Sequence, residues 1–164
     1  MIRNIIVAGA LLGMSTAAVA GPAEGNWEIV FTNMGANLSI ADGDTVAWGG
    51  VRAGKFLWGS NHEFGGSANV YISDATETLG IGGFYRHNWA TVSSQKWWYA
   101  GVDLDIGDVE EAGDSLWLRP HVGHKWMLTD DVAFDLDAGV RLDLDNSDND
   151  PTIAARWGIT VFFK

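Results

Sequence analysis

The sequence predicts an all-β domain, an eight-stranded antiparallel up-and-down barrel of the kind that crosses a membrane with its strands, preceded by a signal peptide. Three observations carry that prediction. From about Trp27 to the end, apolar and polar residues alternate with period two, the repeat that sends successive strand side chains to opposite faces. The chain divides into eight such segments of about 18 residues each with its connection, enough for membrane strands of about 9–11 residues. Tryptophans gather at one set of segment ends, and indole rings favour a membrane–water interface.

Composition narrows the field. The chain has 164 residues, 21 of them Gly and nine Trp, with no Cys and a net charge of −11. Without Cys there are no disulfides, iron–sulfur clusters, thiolate zinc sites or thiol nucleophiles. So acidic a chain lacks the basic face that displaces counterions from nucleic acid, and no nucleic-acid partner is expected. High Gly alone would suggest disorder, but 12% of the residues are aromatic, and disordered chains are poor in aromatics.

Taken in order, residues 1–20 read as the signal peptide: Arg3, the apolar run Ile5 to Leu12, then small residues ending Ala18-Val19-Ala20. Gly13, Ser15 and Thr16 break the run, short of the about 20 apolar residues that a spanning helix needs. Cleavage leaves a barrel domain over 21–164; it removes one charge, Arg3, so −11 becomes −12. Strands are expected near 26–33, 45–57, 62–73, 77–89, 96–107, 115–128, 132–144 and 153–163. The clearest is the seventh, with Phe134, Leu136, Ala138, Val140 and Leu142 on one face and Asp135, Asp137, Gly139, Arg141 and Asp143 on the other. The fifth sets Trp98, Ala100, Val102, Leu104 and Ile106 against Trp97, Tyr99, Gly101, Asp103 and Asp105. The eighth sets Trp157, Ile159, Val161 and Phe163 against Arg156, Gly158, Thr160 and Phe162. Connections near 58–61, 90–95 and 129–131 are short, whereas those near 34–44, 74–76, 108–114 and 145–152 are mostly longer and rich in Asp, Glu, Asn and Gly. Membrane barrels contrast periplasmic turns with outside loops in this way.

Alternation by itself fits two objects. A soluble barrel turns its apolar face inward; a membrane barrel turns it outward. The aromatics favour the second, because Trp27, Trp58, Trp89, Trp97, Trp98, Trp126 and Phe163 fall at strand ends beside the chain termini or the short turns, as an interfacial girdle does. The inward set is then Arg52, Glu63, Arg86, Asp103, Asp105, Arg119, His121, Lys125, Asp135, Asp137, Arg141, Asp143 and Arg156. Such charges must pair, because isolated ones are costly to desolvate. Hairpin register sets Lys125 opposite Asp135 and Asp103 opposite Arg119. Gly80, Gly82, Gly101, Gly123, Gly139 and Gly158 are expected to make room for larger lumen neighbours. An eight-stranded interior is about wide enough for side chains to fill, so the lumen is expected to be plugged. Arg52 and Lys55 cannot both face inward on a regular strand; Arg52 is assigned inside and Lys55 to the rim.

Three stretches carry a resemblance. They are Gly50 to Leu57 running through a turn into Phe64-Gly65-Gly66, Arg119 to Phe134 with its Thr129-Asp130 turn, and Trp157 to Phe163. The chain resembles the small outer-membrane β-barrel family, to which the OmpA membrane domain and OmpX belong. The resemblance implies the outer membrane of a Gram-negative-type cell, contact with outer-membrane lipid and lipopolysaccharide, and assembly machinery that reads the last strand. The family usually ends on an aromatic residue; here Lys164 follows Phe163. A monomer is expected.

Catalysis is not. Barrel lipid hydrolases use His with Ser and a carboxylate, but the four His are followed by Glu63-Phe64, Asn88-Trp89, Val122-Gly123 and Lys125-Trp126. His121 and His124 point to opposite faces and cannot share a metal. The loop Asp143 to Asp150 lacks the Gly and bidentate Glu of a calcium loop. No cofactor is expected. Three functions remain: a non-enzymatic surface barrel with a plugged lumen, a narrow porin-like pore for small solutes, and a soluble periplasmic barrel holding an apolar ligand.

Overall fold

The computed structural model describes residues 23–38, 45–59, 61–72, 77–89, 96–107, 116–145 and 150–164. The signal-peptide assignment, residues 1–20, lies outside the described residues, as does the acidic connection at 108–114. Eight strands follow one another: β1 Trp27–Leu38, β2 Thr45–Leu57, β3 His62–Ile72, β4 Glu77–Asn88, β5 Lys96–Ile106, β6 Leu116–Met127, β7 Val132–Asp143 and β8 Thr152–Phe163. They pair antiparallel in chain order, and β1 pairs with β8 to close the barrel.

One boundary differs from the sequence expectation. β1 continues past residue 33 to Leu38, because a bulge, not a loop, begins there. Asn33 has φ of 47°, the β1–β2 register shifts between Thr32 and Gly35, and pairing resumes at Gly35↔Trp48 and runs to Leu38↔Thr45. An inserted residue reverses the side-chain parity beyond it, which hides the continuing strand from a period-two reading. The first connection is therefore 39–44, and the longer connections are those after β5 and β7.

Two irregularities shape the long-loop half. Pro120 in β6 has no N–H to donate, and the β6–β7 ladder lapses over Arg119 and Pro120 before resuming at His121↔Gly139. The β1–β8 ladder joins Trp27–Thr32 to Phe163–Gly158; among the described residues no backbone pairing carries it on to Asn33–Leu38 and Thr152–Trp157. Side chains take over part of that work. Trp157 N–H donates to Asn33 Oδ1 at 3.0 Å, and Arg119 Nη2 donates to the Ala154 carbonyl at 3.4 Å.

The burial is inverted relative to a water-soluble domain. Arg52, Glu63, Arg86, Asp103, Lys125, Asp135 and Asp137 are buried, while Leu104, Val122, Leu136, Val140 and Ile153 lie exposed on the outer face, Ile153 at 83%. A small apolar cluster of Phe56, Trp97, Ala133 and Phe162 sits inside the short-turn end. There the Phe56 and Phe162 rings are 6.1 Å apart and the Trp97 and Phe162 rings 5.9 Å apart.

Candidate functional site: the charged interior

Above that cluster the strands point charged side chains at one another in two tiers. The first tier holds Glu28, Glu63, Arg86, Lys125 and Asp135. Arg86 Nη1 lies 2.7 Å from Glu28 Oε1 and 3.5 Å from Glu63 Oε2. Lys125 Nζ lies 2.7 Å from Glu28 Oε2 and 3.2 Å from Asp135 Oδ2, and also donates to Thr160 Oγ1 at 3.1 Å. Tyr99 O–H donates to Asp135 Oδ1 at 2.6 Å. The Tyr99 ring is seated against Gly123, where a Cβ would collide with it.

The second tier lies toward the long loops. Asp103 receives Arg52 Nη2, Arg119 Nη1 at 3.2 Å and Arg156 Nη2 at 2.8 Å. Asp137 receives Arg119 Nη2 and both Nε and Nη2 of Arg156, the latter two at 3.1 and 2.9 Å. His121 Nδ1 is 3.8 Å from Asp103 Oδ2. Phe84 separates the tiers, its ring 4.1 Å from the Arg52 Cζ and 4.9 Å from the Arg86 Cζ. It lies over Gly65, which has no Cβ to obstruct it. Flat guanidinium groups on an aromatic face gain cation–π attraction with little loss of their edge hydrogen bonds.

The remaining inward residues stand at the mouth. Asp105 accepts the Ser67 hydroxyl at 3.0 Å, Arg141 lies 3.8 Å over the Trp117 ring, and Asp143 Oδ1 accepts the Asp145 N–H at 3.0 Å. Glu28, fully buried and bound to both first-tier cations, is an inward residue beyond those expected from the sequence. Its alternation with outward Trp27 and Ile29 is the signal that identifies it.

The outer face of the short-turn end carries rings. Trp27, Trp58, Trp89, Trp98 and Trp126 are exposed there, and Phe163 is the register partner of Trp27. Trp97 does not join them. It is 2% exposed, turned into the barrel, with Nε1–H donating to Asn88 Oδ1 at 3.2 Å. Proximity to a strand end groups it with Trp98 in the sequence, but adjacent strand residues face opposite ways. Lys55 stands outside, 5.2 Å over the Trp27 ring. His62 and His87 have ring centroids 5.0 Å apart on the same outer belt, and His124 packs against Trp98 and Trp126 at 4.6 and 4.1 Å.

No family model and no curated protein matches the sequence. Among solved structures, the chain is similar to the N-terminal β-barrel domain of Pseudomonas aeruginosa OprF, with a TM-score of 0.59 and 15% identity over 86% of this chain and 99% of that one. The shared feature is the β-barrel fold, which in this chain is a closed eight-stranded antiparallel barrel.

Proposed function

We propose that the chain is a non-catalytic outer-membrane barrel, exported by residues 1–20 and mature over 21–164, with a structural or surface-interaction role and a lumen filled by its own charges. The observation that carries this reading is the inverted burial: six cations and seven carboxylates line the interior of the strands while Leu, Val, Ile and Trp side chains cover their outside. Water penalises such an exterior, whereas hydrocarbon favours it. Closure of the sheet leaves few backbone groups for lipid to strand. The ring belt sits at the periplasmic interface, the acidic connections meet lipopolysaccharide outside, and β8 is the strand offered to the assembly machinery. A monomer suffices, since the barrel closes on itself. A soluble barrel with an apolar ligand would need the two faces exchanged.

Washed membranes run on SDS gels with and without boiling test the placement. A band that shifts on boiling and stays with the membrane fraction is the expected result; release with the periplasm and no shift would overturn it. Planar-bilayer recording of the refolded protein tests the plug. The expected trace is free of sustained conductance steps, and steady single-channel steps would favour the porin-like reading.

A further inference from the structure

We propose that the long-loop mouth of the barrel binds an oxyanion, a carboxylate or phosphate group, on Arg119, Arg141 and Arg156. The two tiers are unequal. In the second, three guanidinium groups (Arg52, Arg119 and Arg156) share two carboxylates, Asp103 and Asp137. In the first, three carboxylates share two cations. Arg141, Asp105 and Asp143 at the mouth bring that end to four cations and four carboxylates, but they are unevenly placed, and a cavity of about 300 Å³ opens there between the strands on the guanidinium side. Its lining includes Arg119, Arg141, Arg156, Asp105, Asn33 and Asn69. That volume is at the lower end of small-molecule pockets, which span about 300–1,000 Å³.

The donors suit one chemical class. Guanidinium forks match planar carboxylates and tetrahedral phosphates through paired N–H bonds. Arg141 is stacked on Trp117 through its face, which steadies the group while leaving its N–H edge directed along its own plane. Asn33 and Asn69 add amide groups able to donate to a second oxygen. The cavity lining sets three guanidinium groups against one carboxylate, Asp105, and in a half-buried place of that sign an added anion is favoured, because fewer waters compete with it.

Two sources could supply that group. A free anion must pass connections that contain Asp42, Asp44, Asp74, Asp108, Glu110, Glu111, Asp114 and Asp148 with no Lys or Arg. A lipid headgroup need not. Asn33, Ala154 and Ala155 line the cavity and belong to the stretch where the β1–β8 ladder has ended. Exposed Ile153 and Trp157 on the adjoining outer face offer an acyl chain an apolar track.

The test is calorimetric titration of the barrel refolded in a neutral detergent, with inorganic phosphate in one arm, dodecyl phosphate in a second and dodecanol in a third. Saturable binding of inorganic phosphate supports the site with a dissolved anion as its source. Saturable binding of dodecyl phosphate but not of dodecanol supports it with a lipid source at the seam. In either case R141Q is expected to weaken binding at least tenfold and R141K less, because it keeps the charge and loses the fork. K96Q, at the opposite end, is expected to bind as the unmodified chain does. Boiling-dependent gel migration checks that each variant has folded, and if R141Q does not fold, competition by sulfate on the unmodified barrel replaces it. No saturable heat from either phosphate, equal binding of dodecanol, or undiminished affinity in folded R141Q would overturn the proposal, as would failure of sulfate to compete.

Discussion

Lys125 touches two carboxylates and a hydroxyl, and what surrounds it decides what its removal does. The first tier holds one carboxylate more than it has cations, so charge removed from the two signs has opposite consequences. Lys125→Met leaves three buried carboxylates with Arg86 alone and is expected to cost about 3–5 kcal/mol, the range for breaking a buried pair. Glu63→Gln keeps the shape, evens the charge and is expected to be near neutral. Urea unfolding in lipid vesicles, followed by tryptophan fluorescence, checks both; equal losses would refute the tier arithmetic. Gly123→Ala presses a methyl into the Tyr99 ring and is expected to cost about 1–3 kcal/mol as overpacking, read from the same curves. At this scale the sequence is legible wherever parity is followed strictly. Trp97 is the instructive departure: its position near a strand end pointed outward, its place between Lys96 and Trp98 pointed inward, and parity prevails because the pleat permits nothing else.

Along a single strand, the same alternation becomes an account of solvent on each side. Leu136 on β7 is 43% exposed on the outer face, between buried Asp135 and Asp137. Leu136→Arg is expected to cost about 2–4 kcal/mol in a bilayer, as a cation placed in hydrocarbon near mid-strand does. A cost near zero would place that face in water. Trp97 and Trp98 supply a second check on β5. Brominated lipid is expected to quench the fluorescence that Trp98→Phe removes and to spare the fluorescence that Trp97→Phe removes. Seven of the eight strands could be bounded within one residue from pattern alone, since none of them carries an inserted residue that breaks its own alternation. β1 could not, because Asn33 inserts a residue whose effect depends on its partner strand, and a linear pattern contains no information about partners.

Over the whole molecule, the exchange of inside and outside was readable because charge and aromatics are strongly partitioned between alternate positions. The unequal tiers were not readable, since which cation meets which carboxylate depends on strands far apart in the chain, such as Glu28 with Lys125. The same separation bears on the order of events in time. β1 and β8 lie at opposite ends of the chain, so bringing them together closes the longest loop the protein contains, a step opposed by chain entropy and slow for that reason. It is rewarded by a ladder that stops at Thr32 and Gly158. The seam should therefore form after the seven hairpin contacts and part before them. Within Asn33–Leu38 and Thr152–Ala155, the backbone amides that face the seam and not β2 or β7 should exchange with deuterium soonest among the strands, and a late step in refolding should vanish when the two termini are tethered.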